Sequence, residues 1–211
     1  MGPMTTSDDR RAHWQKIWTS KPPETVSWHQ PAPTLSLALI QSAGLRKDAG
    51  VVDVGGGASE LVDRLNEQGW VHLAVLDVSE SAIALAAERM GPPADDITWI
   101  ESDVLEWRPV PGLFELWHDR ACFHFLTDTG DQRKYAEVMA TALVPGGTAI
   151  IATFAPDGPE TCSGLTVEHH DEASLRRVLG DRFQLVEHLA EDHTTPNGAK
   201  QKFCWWIWRR L

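Results

Sequence analysis

The chain has 211 residues, 42% hydrophobic and 23% charged, a balance typical of one globular core. Its 30 acidic residues outnumber 19 lysines and arginines, and the net charge of −11 argues against nucleic acid as a partner. The sequence shows no apolar run of the roughly 18 residues that span a membrane, and no signal peptide is expected. The three cysteines are far apart, which favours the reducing cytoplasm and argues against a disulfide framework or a zinc site.

The first part of the chain predicts a helical arm that packs on the core. Two short helices are expected there, over residues 8–19 and 34–43. Ser7 and Thr34 stand where N-caps would. Residues 21–33, which lie between the helices, contain four prolines and predict irregular chain. We therefore divide the protein into an arm, residues 1–44, and a main domain, residues 45–211.

The main domain alternates apolar runs with segments of helical periodicity. The apolar runs that predict strands lie at residues 51–54, 71–78, 97–100, 113–117, 148–154, 182–190 and 201–209. The predicted helices lie at residues 58–68, 80–90, 131–143 and 171–179. The last two strands are joined by a turn sequence, Thr195-Pro196-Asn197-Gly198, instead of a helix. This order predicts a three-layer α/β sandwich with a seven-stranded, mostly parallel sheet whose last strand is antiparallel.

A glycine-rich turn follows the first predicted strand. Its sequence is Asp53-Val54-Gly55-Gly56-Gly57-Ala58-Ser59, and a helix follows it. Glycine lets the backbone turn sharply and approach a ligand without a Cβ in the way. The turn alone fits a dinucleotide, another nucleoside cofactor, or a purely structural role.

Two acidic residues extend this pattern along the same edge of the sheet. Asp77 ends the second strand, 24 positions after Asp53, where a carboxylate accepts hydrogen bonds from ribose hydroxyls. Asp103 follows the third strand, at the carboxyl edge where open α/β sheets bind ligands. Each acid alone is also explained by a helix cap, but together they indicate a nucleoside site.

With these motifs in order, residues 45–210 resemble the class I methyltransferases that use S-adenosylmethionine (SAM). The turn is similar to that family's first motif, although Ser59 stands in place of its last glycine. Pro145-Gly146-Gly147 is similar to the family's turn into strand five. The resemblance implies a Rossmann-like methyltransferase fold and SAM as the cofactor. The residues it assigns to SAM are Asp53, Gly55, Gly56, Gly57, Asp77, Val78, Asp103, Val104 and His118.

The rival cofactor is NAD. A dinucleotide fingerprint requires a third glycine at the position that Glu60 occupies here. A glutamate would also repel a pyrophosphate, a group that SAM does not have.

The run that follows the fourth predicted strand holds the candidates for catalysis. The resemblance implies that His118 faces the methionine half of SAM and that Asp119 or His124 faces the acceptor. A hydroxyl or ammonium acceptor needs a general base, and we predict Asp119 or His124 for this role, whereas a thiolate or selenolate needs none. The alternatives are an ion pair between Asp119 and Arg120 and a half-buried, structural His124.

The arm and one loop complete the predicted site. Trp18 and Trp28 are predicted to cover the cofactor as part of a lid, and Trp14 to anchor the arm, although all three could be anchors. Trp residues ahead of the first motif and an Asp-Arg after strand four also resemble thiopurine methyltransferase, over little sequence. Cys162 lies in a Pro/Gly-rich loop that we expect to form a wall of the acceptor pocket, as an ordinary thiol or a ligand for a soft metalloid.

These patterns predict an enzyme that methylates a small molecule, with the acceptor atom (S, Se, N, O or a metalloid) left open. A protein lysine methyltransferase, whose acidic rim would attract lysine, is the alternative, and a SAM-binding module without catalysis is the second. The histidines show no metal-ligand spacing, so no metal is expected. We predict a monomer or a homodimer.

Overall fold

A computed structural model describes residues 6–211. Within this range the six α-helices are α1 (Ser7–Ser20), α2 (Thr34–Ser42), α3 (Leu61–Glu67), α4 (Glu80–Met90), α5 (Thr129–Ala142) and α6 (Glu172–Leu179). The nine strands are β1 (Gly50–Val54), β2 (His72–Asp77), β3 (Thr98–Glu101), β4 (Phe114–Arg120), β5 (Leu143–Phe154), β6 (Thr161–Cys162), β7 (Leu165–Thr166), β8 (Phe183–Thr194) and β9 (Lys200–Arg210). No helix in this range is long and apolar enough to span a membrane.

Seven strands form one sheet in the order β3-β2-β1-β4-β5-β9-β8. The first five are parallel, and β9 is antiparallel to both β5 and β8. The predicted sheet is therefore confirmed, including its antiparallel last strand. The strand order reverses between β1 and β4, and open α/β sheets bind ligands at the carboxyl ends of the strands beside such a point.

Both faces of the sheet are buried, which is why its central strands are almost continuously apolar. In β1 and β4, Val52 and Trp117 belong to the hydrophobic core on one face, and Val51 and Leu116 to the core on the other. The core therefore holds β1 and β4 rigidly, and their carboxyl ends are a firm base for a site.

The structure corrects four predicted boundaries, one of which is the end of strand β8, at Thr194 instead of residue 190. Helix α3 begins at Leu61 instead of residue 58, because the residues before it continue the glycine turn. Strand β4 continues to Arg120, so His118 and Asp119 are strand residues and do not follow the strand. Strand β5 begins at Leu143, with an irregular register opposite β4 where the Pro-Gly-Gly sequence lies.

The predicted helix caps are also different. The N-cap of α1 is Thr6, whose side chain accepts from the Asp9 N–H, and Ser7 is the first helical residue. Thr34 likewise begins α2, and Pro33 is at its cap position without a side-chain hydrogen bond. In each arm helix the cap lies one residue earlier than predicted.

Candidate cofactor and acceptor site

The glycine turn is shaped by close neighbours. Gly55 has φ of +66°, in the left-handed region that favours glycine. A Cβ there would lie 2.7 Å from the Cβ of Cys122, and a Cβ on Gly56 would lie 2.6 Å from an oxygen of Asp53. Because no side chain fits at these positions, the backbone itself forms this wall of the site.

A buried hydrogen-bonded chain supports the turn from below. Asp53 Oδ1 lies 2.7 Å from His118 Nδ1, and His118 Nε2 lies 3.0 Å from Ser36 Oγ. The pairing of β1 with β4 places Asp53 directly opposite His118. Both ring nitrogens of His118 are therefore engaged by protein partners, and the ring connects helix α2 of the arm with the glycine turn.

Asp77 presents a desolvated carboxylate at the end of β2. It is 8% exposed, and its Oδ1 accepts a hydrogen bond from the Ser79 N–H at 2.8 Å. Its pKa is raised from 3.8 to about 7, chiefly by burial and also by the neighbouring Asp53 carboxylate, although backbone hydrogen bonds, above all from Ser79, act to lower it. The ionised form of such a buried carboxylate is strongly stabilised by additional hydrogen-bond donors such as ribose hydroxyls.

Asp103 lies beside it, after β3, and connects the core with the arm. Its Oδ1 accepts from the Leu105 N–H at 2.8 Å, and its Oδ2 accepts from Arg10 Nε at 2.6 Å. Arg10 belongs to α1, so this ion pair fixes the first helix over the sheet edge.

The main cleft lies between the sheet edge and the arm. Its walls come from the ends of β1, β2 and β4 and from α1, and they include Gly55, Asp77, Val78, Asp103, Val104, Arg120, Cys122, Phe125 and Cys162. Trp14, Trp18 and Trp28 also border it. The ring centroids of Trp14 and Trp28 are 5.8 Å apart, and those of Trp18 and Trp28 are 5.9 Å apart, both in edge-to-face geometry. The tryptophans therefore form one aromatic cover, in which Trp14 borders the cleft as well as anchoring the arm.

A second, more polar cavity adjoins the main cleft beneath the arm. Asp53, Gly56, His29, Ser59 and His118 line it. The two cavities share Trp18, Trp28, Gly55 and Arg120 in their walls.

Residues 51–147, which include the glycine turn and both acids, match the family model described as "Methyltransferase domain". The chain belongs to the class I SAM-dependent methyltransferases. The residues at this site fit SAM. The glycine turn leaves no space for side chains, so the backbone can approach a ligand, and the buried carboxylate of Asp77 can accept further hydrogen bonds. The cofactor is SAM, as predicted.

Among curated proteins, this methyltransferase is similar to Thiocyanate methyltransferase 1 of Arabidopsis thaliana. The two are 31% identical over 144 residues, which cover 67% of this chain and 60% of the relative. The chain thus spans less than two thirds of the length of that relative.

Solved structures share the fold of this methyltransferase. One is 1,6-didemethyltoxoflavin-N1-methyltransferase of Burkholderia thailandensis with bound 1,6-didemethyltoxoflavin and S-adenosylhomocysteine (TM-score 0.72, 19% identity, 100% of this chain and 93% of that one). Another is the N-methyltransferase NodS of Bradyrhizobium japonicum WM9 in complex with S-adenosylhomocysteine (TM-score 0.70, 18% identity, 95% and 98%). At these identities the likeness shows the fold alone.

Asp119, one predicted base, does not border either cavity of the methyltransferase. It is 0% exposed, its Oδ1 accepts from the Cys122 N–H at 2.9 Å, and its Oδ2 accepts from the Phe123 N–H at 3.1 Å and from the Tyr135 hydroxyl at 2.6 Å. Burial raises its pKa to about 6. Asp119 therefore holds the chain after β4 in place, and the geometry favours this structural role over the predicted role as a base. Its carboxylate also makes no ion pair with Arg120, which points to the other face of the sheet.

His124, the other predicted base, is also enclosed. Its ring is fully buried between Phe125 and Phe154, at centroid distances of 4.4 and 4.8 Å, and Nδ1 accepts from the Phe154 N–H at 3.4 Å. Burial lowers its pKa to about 3, so the ring is neutral. It does not border either cavity, so the geometry favours the structural alternative over the predicted role as a base.

Sequence reasoning assigns no role to Arg10, Cys122 or Phe125, although all three border the main cleft. The position of Cys122 and Phe125 just after β4 was a usable signal. Arg10 had none, because it lies 93 residues from Asp103. Residues 6–211 hold no cluster of three or more His, Cys, Asp or Glu arranged to bind a metal. That no metal is needed stays a prediction.

Proposed function

We propose that this methyltransferase transfers the methyl group of SAM to a small-molecule acceptor. The observation that carries the proposal is the main cleft, whose cofactor acids lie under a cover of Trp14, Trp18 and Trp28. Such a cover favours a small acceptor over a protein surface. The relative named for thiocyanate and the structure containing 1,6-didemethyltoxoflavin are consistent with it.

In this proposal the sheet edge holds the nucleoside. Asp77 accepts the ribose hydroxyls, with Val78 beside it, and Asp103 with Val104 binds the adenine. Gly55, Gly56 and Gly57 present the backbone, supported from behind by Asp53 and His118, and Trp18 and Trp28 exclude water. When bound, SAM supplies an electrophilic methyl group on a sulfonium, and the protein contributes alignment and electrostatics.

The main cleft favours an acceptor that arrives already deprotonated. Asp77 and Asp103 are assigned to the cofactor, and no histidine of the described chain borders this cleft. Burial raises the pKa of Cys162 to about 12 and that of Cys122 well above its usual range, so both remain thiols at neutral pH. Thiolates and comparable soft anions need no base, and we propose this acceptor class first.

Incubation with methyl-labelled SAM tests the proposal. Small thiols, selenols, amines and phenols are presented separately, and a cell lysate is presented in parallel. We expect labelled small products and release of S-adenosylhomocysteine. Labelled protein bands without small products would favour the protein methyltransferase, and SAM binding without any transfer would favour the binding module. Size-exclusion chromatography checks the predicted monomer or homodimer.

A further inference from the structure

Arg120 is a buried cation that borders both cavities. Its side chain is 9% exposed and lies in the shared wall of the main cleft and the second cavity. Nη1 donates to the Trp28 carbonyl at 3.0 Å, and the guanidinium stacks over the Phe203 ring at 4.6 Å from its centroid. These contacts fix the plane of the guanidinium and hold it at the cavity wall.

Two sets of N–H donors on this side chain are unsatisfied. Nε and Nη2 are buried and have no hydrogen-bond partner within the part of the chain that the structure describes. The nearest acid is Glu191, whose Oε2 lies 4.0 Å from Nε, beyond hydrogen-bond distance. That carboxylate is engaged by Trp205 Nε1 at 2.9 Å and by Gln30 Nε2 at 3.1 Å.

Unsatisfied buried donors destabilise a protein, more so on a charged group. Burial lowers the pKa of Arg120 to about 10, so the guanidinium stays protonated at neutral pH and keeps these donors. A well-packed site that retains such a group is organised for a ligand that completes it. The complement of a fixed, planar pair of donors is a negative group with acceptor lone pairs.

We propose that Arg120 binds the negative charge of the methyl acceptor, so that the acceptor is a small anion or carries an anionic group such as a thiolate or carboxylate. This inference rests on the proposed function. It also gives the site a charge balance, because Glu191 already accompanies Arg120 and SAM carries a net positive charge that an anionic acceptor neutralises.

The other negative group that could reach these donors is the methionyl carboxylate of SAM. The second cavity has uncharged polar side chains for that tail, including Gln30 and Ser59. It is also lined by the acids Asp53 and Glu60, and Arg120 is the only arginine or lysine among the described residues of its wall. In the main cleft, Arg120 lies beside Cys162, which belongs to the short strand β6 and not to the glycine turn. This position favours the acceptor as the source of the anion.

Three variants separate the possibilities. Arg120→Met removes the charge and keeps an apolar side chain, and Arg120→Lys keeps the charge without the planar donors. Arg46→Met is the matched control, because Arg46 is 85% exposed and pairs only with Asp48 on the surface. Circular dichroism and thermal unfolding establish the folding of each variant before binding is measured.

Calorimetry then measures three ligands. The first is S-adenosylhomocysteine, compared with 5′-methylthioadenosine, which lacks the carboxylate. The second is thiocyanate, added to the S-adenosylhomocysteine complex. The third is a (methylthio)benzoate, whose sulfur carries no ionisable proton, compared with its methyl ester on the same complex. For Arg120→Met we expect at least about a tenfold loss of affinity for both anions. We expect changes within about twofold for S-adenosylhomocysteine and the ester, and a midpoint of thermal unfolding that is unchanged or raised. Arg120→Lys is expected to be intermediate, and Arg46→Met unchanged.

A tenfold loss for S-adenosylhomocysteine with none for 5′-methylthioadenosine would overturn the inference, because Arg120 would then hold the cofactor. Equal binding of anions by wild type and Arg120→Met would overturn it too. A destabilised Arg120→Met together with a folded Arg120→Lys of unchanged anion affinity would assign Arg120 a structural role. These readouts need no turnover, so Arg120-dependent anion binding without methyl transfer would establish the anion site while refuting the proposed function, and the two failures are distinguishable.

Discussion

Replacing Asp77 by Asn is expected to stabilise the empty protein and weaken cofactor binding. Burial raises the pKa of Asp77 from 3.8 to about 7, so between these values the folded chain keeps a proton that the unfolded chain has lost. The contribution of Asp77 therefore favours folding at low pH and is lost as the pH rises through about 7. The interval between the two pKa values corresponds to about 4 kcal/mol, an upper value for the destabilisation above pH 7.

Asparagine is neutral at every pH and keeps an oxygen that can accept the Ser79 N–H. Denaturant unfolding at pH 8 should therefore show Asp77→Asn more stable than wild type by up to about 4 kcal/mol, and the difference should vanish near pH 4. Asp95→Asn, which removes an exposed carboxylate, is the control and should unfold as wild type does at pH 8.

The effect of Asp77→Asn on cofactor affinity should be opposite to its effect on stability. Ribose hydroxyls donate to the ionised carboxylate, so wild type should bind S-adenosylhomocysteine about tenfold more weakly at pH 6 than at pH 8. Asp77→Asn should lose roughly 2 kcal/mol of binding free energy at pH 8, and its affinity should vary less with pH. Isothermal titration calorimetry at each pH measures this. A wild-type profile that is flat, or a variant that binds as wild type does and unfolds more easily at pH 8, would refute the reasoning.

Two further changes test the turn and its support. Gly55→Ala would place a Cβ 2.7 Å from the Cβ of Cys122, so cofactor affinity should fall at least about tenfold. Gly44 has the same φ of +66°, but a Cβ there would have no atom within 4 Å, so Gly44→Ala is the control. Its affinity, measured by titration with S-adenosylhomocysteine, should be unchanged. Tyr135→Phe removes the hydroxyl that donates to Asp119 at 2.6 Å, so urea unfolding should show a loss of about 1–3 kcal/mol. Unchanged stability would show that the backbone donors alone hold the carboxylate.

The fold, and the meeting of the glycine turn with Asp77 and Asp103 at one cleft, were predictable because their signals are local. A strand, a glycine turn and a helix are consecutive in sequence, and Asp77 ends one strand of the parallel sheet while Asp103 follows the end of another. Parallel strands place their carboxyl ends at one edge, so their alignment follows from the element order.

The acceptor half could not be predicted in the same way, since it depends on contacts between distant segments. Arg120 meets the carbonyl of Trp28 across 92 residues, and Glu191 comes from the last hairpin. The sequence also contains no sign that His124 is enclosed by Phe154, because that contact follows from the packing of the turn after β4 against β5.

The length of β4 decides which of its polar residues reaches the cavities. Side chains alternate along a strand, so Asp119 shares a face with Trp117, and Arg120 shares the opposite face with His118. The first face is sealed by Tyr135, whereas the second opens beneath the arm. A prediction that ends the strand at residue 117 loses this alternation and treats Asp119 as a base. The same alternation brings a cation, and no carboxylate from β4, to the cavity wall, which is the arrangement that suits an acceptor that arrives as an anion and needs no proton removed.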